Sequence, residues 1–182
     1  MSKKFPTITG LTNDYLALHK NPDVNAELVN SSDRAAVLVG ATILDMQLER
    51  LLRGFFVDDE QEVNKLIASA NQSAPLSSFS ARIRTAYCLG LIHKSERDDL
   101  SAIREIRNVF AHNILNCTFD NSDVIKICKN WVLFQTLLDE SSVGHTYRVK
   151  FNIVVILLDS LILFRINDVQ RRNPASQFKR GI

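Results

Sequence analysis

The run Phe151–Phe164, FNIVVILLDSLILF, constrains the fold of this chain more than any other stretch. It is apolar around nearly the whole circumference of a helix, so lipid or protein must cover it on every side. Lipid is excluded on length. The run has 14 residues, Asp159 interrupts it, and Lys150 and Arg165 close it, whereas a membrane span needs about 20 apolar residues. A buried bundle helix, or a seam between subunits, is what remains, and it is predicted from Tyr147 to Val169. Asp159 then reads as a core carboxylate that calls for a polar partner such as an arginine.

A helix of this kind needs others around it, and the chain supplies them. Ser31-Ser32-Asp33 is an N-cap cluster, and the RAAVLVGATILDMQLERLLRGFF segment after it is apolar over most of its first half and amphipathic in its second. Asp45, Glu49, Arg50 and Arg53 mark that second half. With no histidine or third carboxylate at suitable spacing, they predict a solvated edge rather than an acid–base or metal pair. Asp58-Asp59-Glu60 opens a short helix to about Ser69. Asn71 to Pro75 is a loop, Ser77 or Ser78 caps FSARIRTAYCLG, and Gly90 stops it. Ser122 is predicted to cap one helix over Asp123–Leu138, with Ile127, Trp131 and Phe134 on one face.

With 182 residues and 46% hydrophobic content, one core suffices. Six glycines and four prolines argue against a sandwich or barrel. The expectation is an all-α fold, a single bundle of five to six helices over residues 31–170. Residues 1–30 form a loosely attached arm with one short helix around Leu11–His19, and residues 171–182 form a basic tail. Twenty-two basic against 20 acidic residues leave no global field, so any nucleic-acid contact must come from a local patch. Three cysteines, an odd number without metal spacing, and no leader at the N-terminus fit a reducing cytoplasm. No Gly-rich phosphate loop, GxSxG, zinc spacing, HExxH or DNA-reading helix-turn-helix is legible, so no cofactor and no metal are expected.

The stretch that carries chemistry is Ser95–His112, SERDDLSAIREIRNVFAH. Ser95 reads as N-cap with Asp98 as a capping-box partner. At about 100° per residue, Ala102, Ile103, Ile106, Val109 and Phe110 share a core face, while Arg104, Glu105, Arg107, Asn108 and His112 share the opposite arc. Two guanidiniums, an amide and an imidazole on one surface suit a phosphodiester. RNA brings its own 2′-hydroxyl nucleophile, so cleavage needs a base, an acid and charge stabilisation. As an imidazole, His112 suits proton exchange. Arg107 suits bidentate binding of phosphoryl oxygens. Asn108 is placed to orient imidazole or phosphate, and Arg104 to bind substrate. One histidine cannot serve readily as both base and acid, and Arg107 and His112 lie about 140° apart on the projection. A two-fold dimer that opposes two copies of the motif resolves both difficulties. The competing reading is structural: an Arg and a His close to a helix C-terminus also satisfy its dipole, with His112 and Asn113 finishing the helix and Arg107 paired to Glu105, Asp159 or another carboxylate.

Arg107-Asn108-Val109-Phe110-Ala111-His112 resembles the R-N-x-x-x-H motif of the HEPN superfamily. The longer stretch Pro75–His112, with the Ser31–Phe56 helix, is similar to the mannitol-operon repressor family of bacterial regulators. The resemblance implies a helical, usually dimeric bundle with the motif helices of two subunits facing each other. Two functions follow as expectations. The first is a metal-independent endoribonuclease acting on RNA at a composite homodimer site, a toxin or antiviral component with an antitoxin partner. The second is a non-catalytic regulator that acts through a protein partner.

Overall fold

The computed structural model describes residues 28, 30–67, 73–113, 117–137 and 146–172. The predicted Leu11–His19 helix and the tail beyond Arg172 lie outside them. Seven helices follow in order: α1 (Asp33–Phe55), α2 (Glu60–Ile67), α3 (Phe79–Cys88), α4 (Lys94–His112), α5 (Ser122–Cys128), α6 (Val132–Leu137) and α7 (Tyr147–Arg172). The described residues contain no strand, and the fold is the expected all-α bundle.

The two most apolar segments of the sequence, α1 and α7, form its centre. Gly40 lets them approach closely: a Cβ at that position would stand 3.1 Å from Val155 Cγ2 and 3.2 Å from Phe151 Cε1. Phe151, Val154, Val155, Leu158 and Ile162 of α7 are buried, as are Val37, Ala41, Leu44, Leu48 and Leu51 of α1. Asp159 is buried as well. Most of the apolar circumference of α7 is therefore spent inside the chain, and Phe164 stays 57% exposed. No helix among the described residues is long and apolar enough to cross a membrane.

The N-terminal end of α1 is pinned by polar contacts. Ser32 caps it through its hydroxyl, which accepts from Ala35 N–H. Asp33 accepts from Arg148 Nη1 at 2.7 Å and from Phe119 N–H at 3.0 Å. Arg148 also donates to the Leu28 carbonyl, as does Asn152. Buried Leu28 is thereby tied to α7.

Three local expectations need correction. The N-cap of α4 is His93, not Ser95, because Glu96 rather than Asp98 turns back onto the cap, accepting from His93 N–H at 2.5 Å. Buried Glu96 also takes a forked bond from Arg165 of α7. Asn121, not Ser122, caps α5, accepting from Asp123 N–H at 2.9 Å. The predicted Asp123–Leu138 helix is two helices. Asn130 ends the first by donating from its side chain to the Lys126 carbonyl. Asp99 starts the second by accepting from the N–H groups of Val132 and Leu133, both at 2.8 Å. A buried carboxylate on α4 thereby supplies the cap that the α6 sequence lacks. Trp131 falls in the break, buried against Phe151 at 6.3 Å between ring centroids.

Candidate functional site

The α4 helix divides as its periodicity predicts. Ile103, Ile106 and Phe110 are fully buried and Ala102 and Val109 partly so, while Arg107 and His112 are exposed and Asn108 half-buried. Phe110 is the anchor, stacked through Phe119 onto Phe151 with centroid distances of 5.5 and 5.2 Å. This aromatic chain fixes the C-terminal half of α4 to α7 and sets the direction of its polar ridge.

The C-terminus of α4 is satisfied without His112. Asn113 folds back onto the Val109 carbonyl with both its backbone N–H and its side-chain amide, at 3.0 and 2.9 Å. Arg34 of α1 supplies the cation, donating to the carbonyls of Phe110 and Asn113, the latter at 2.6 Å. The capping role is therefore real, and Arg34 with Asn113 performs it. The side chains of Arg107, Asn108 and His112 make no hydrogen bond or ion pair among the described residues. Among the carboxylates near Arg107 is Asp45. Burial pushes the Asp45 carboxyl up, while Arg82 and then Arg107 pull it down.

Asp45 and Glu49 are not the solvated edge expected. Both hold Arg82 of α3, at 2.7 Å each, and Arg82 also donates to the carbonyls of Leu76 and Ile67. The Arg82 side chain is buried. Its partners tie α1 to the C-terminus of α2 and to the turn before α3. The signal was present in the sequence: Phe79, Arg82, Ile83 and Ala86 have i, i+3, i+4, i+7 spacing, which puts an arginine on an apolar face.

Arg104 parts company with the other motif residues. It lines a groove between α3 and α4 together with Arg84, Arg97 and Tyr87. The ridge thus brings Arg107, Asn108 and His112 to one exposed helix end, while Arg104 faces a different recess. The described residues hold no cluster of three His, Cys, Asp or Glu side chains able to bind a metal. One chain offers one imidazole at this end, with no hydrogen bond to orient it.

The described residues thus form an all-α bundle with an open polar ridge at the C-terminal end of α4. A model of the mannitol repressor family, MtlR, matches residues 24–148, and the chain belongs to that family. Its fold resembles that of a chain in the X-ray structure of the MtlR–HPr complex from Escherichia coli. That likeness has a TM-score of 0.62 at 16% identity and covers 84% of this chain and 98% of the other. It also resembles YggD from Shigella flexneri 2a, described as a possible transcriptional regulator, with a TM-score of 0.54 at 14% identity over 91% of this chain and 99% of that one. No curated protein sequence matches the chain. These likenesses lend nothing to the HEPN reading of the hexapeptide.

Proposed function

We propose that this protein is a non-catalytic regulator that works by binding a protein partner, with the α4 ridge of Arg107, Asn108 and His112 as part of the contact surface. The observation that carries this reading is the state of those three side chains. They stand outside every hydrogen bond and ion pair among the described residues, at a helix end whose capping is already complete. Arginine is enriched in protein interfaces, and exposed polar groups with no internal task are free to pair across one. The family and the fold support the same direction, since the Escherichia coli neighbour was crystallised with the protein HPr. HPr is accordingly the first partner to try.

The test pairs two assays on the full chain. In the first, HPr from the same cell is passed with the protein over a sizing column, and a co-eluting complex is expected. In the second, RNA is incubated with the protein in EDTA, and no cleavage is expected. RNA cleavage that disappears in both Arg107→Ala and His112→Ala would overturn the regulator reading in favour of a composite nuclease, the alternative carried by the hexapeptide alone.

A further inference from the structure

The α3–α4 hairpin is closed by only five residues, Leu89–His93, with Gly90 at φ +70° in the left-handed conformation that favours glycine. The turn sets two polar stripes against each other. On α3, Ser80, Arg84 and Cys88 recur every four residues, and on α4, Arg97, Ser101 and Arg104 occupy the i, i+4, i+7 positions. Between them lies a groove of about 440 Å³ to which all six contribute.

The groove holds three guanidiniums against one carboxylate, Asp98. Arg97 is held in place: its guanidinium lies 4.7 Å from the Tyr87 ring centroid, and its Nε donates to Asp98 Oδ1 at 2.9 Å. Arg84 and Arg104 are differently placed. Elsewhere in the bundle Arg34, Arg82, Arg148 and Arg165 direct their donors at carbonyls or carboxylates. Arg84 makes no hydrogen bond among the described residues, and Arg104 reaches Glu105 only at 3.6 Å, beyond hydrogen-bonding distance. Two guanidinium forks therefore face a shared recess with donors to spare.

We propose that the groove between α3 and α4 is a binding site for a small phosphate monoester, with Arg84 and Arg104 grasping the phosphoryl oxygens and Arg97 fixed by Tyr87 and Asp98 behind them. Guanidinium forks match a dianionic phosphate geometrically, and Ser80 adds a hydroxyl group beside it, whereas the Ser101 hydroxyl already donates to the Arg97 carbonyl at 2.7 Å. The volume suits a small ligand. A nucleic-acid strand is disfavoured, because the face of Tyr87 that would stack on a base already carries Arg97. This site is separate from the α4 ridge, and it stands or falls independently of the partner reading.

Cys88 lines the groove and is exposed, whereas Cys117 and Cys128 are buried. Its alkylation by iodoacetamide therefore reports occupancy. Glycerol 2-phosphate and inorganic phosphate are titrated against the full chain at constant ionic strength set with chloride. The expected result is saturable slowing of Cys88 labelling by glycerol 2-phosphate, with an affinity about tenfold or more weaker in Arg84→Ala and Arg104→Ala, and unchanged in Arg107→Ala. Inorganic phosphate is expected to protect at higher concentration. Absence of saturable protection, or equal protection in both groove variants, would overturn the site. Tighter protection by a phosphoserine peptide or an RNA oligonucleotide would overturn the small-molecule assignment.

Discussion

Arg82 Nη1 donates to Asp45 Oδ1 at 2.7 Å, so a buried guanidinium on α3 is bonded to a partly exposed carboxylate on α1. The same guanidinium serves Glu49 and two carbonyls. Arg82→Ala removes the cation between two carboxylates four residues apart and strands the Ile67 and Leu76 carbonyls. Breaking a buried pair from one side costs about 3 kcal/mol or more, and the denaturation midpoint measured in urea should fall accordingly. Arg82→Lys should recover little of it, since one ammonium cannot span four acceptors in a fixed plane. A near-neutral Arg82→Ala would show that α1 and α3 are held by packing alone.

Close approach of α1 and α7 at Gly40 predicts a second loss. Any larger side chain meets Val155 and Phe151, both buried and unable to withdraw into solvent. Gly40→Leu should destabilise by about 1–3 kcal/mol through overpacking, read from the thermal midpoint.

Acid titration tests the carboxylate that caps α6. Burial pushes the Asp99 carboxyl above its ordinary 3.8, with the bonds from Val132 and Leu133 acting in the opposite direction. Just above 3.8 the folded chain therefore binds more protons than the unfolded one. Asp99's contribution to stability is then largest below that value and declines as pH rises through the raised one. Asp45 is raised in the same sense, again chiefly by burial. Asp99→Asn should remove part of this decline in a series of urea midpoints from mildly acidic to neutral pH. An unchanged slope would contradict the assignment.

Thiol reactivity offers a check on burial. Burial pushes the Cys128 thiol up to about 12 and raises that of Cys117 as well. Cys88 is exposed. In native protein at about pH 8, near the ordinary cysteine range, one thiol should react rapidly with a neutral alkylating reagent. Two more should appear only on denaturation. Three fast thiols in native protein would refute the described core.

How far the sequence carries the fold depends on whether a residue's role is local. Periodicity locates the core face of α4, and residue type narrows the caps to the Ser31-Ser32-Asp33 cluster and to Ser77 or Ser78, of which Ser32 and Ser78 serve, and marks Gly90 as the stop after α3, because each of those roles is settled within one or two helical turns. Roles that depend on a distant partner were illegible. Nothing near residue 132 announces that Asp99 will cap α6, and nothing near residue 112 announces that Arg34 will finish α4. Arg82 is the intermediate case, marked by its apolar-face position but not by the identity of its partners. For the candidate site, the sequence groups Arg104, Arg107, Asn108 and His112 on one polar arc, and in the structure Arg107 and His112 are exposed and Asn108 half-buried. The structure turns Arg104 toward α3, because its position on the ridge borders the hairpin groove, where Arg84 and Arg97 meet it.

Calorimetric titration of HPr into the full chain, beside the Arg107→Ala/His112→Ala double variant, tests the central claim most directly. The account predicts binding to the native protein and affinity reduced by about tenfold or more in the variant, with the thermal midpoint little changed because neither side chain makes a hydrogen bond or ion pair among the described residues. No heat of binding to the native protein, or equal affinity in the two, would contradict it.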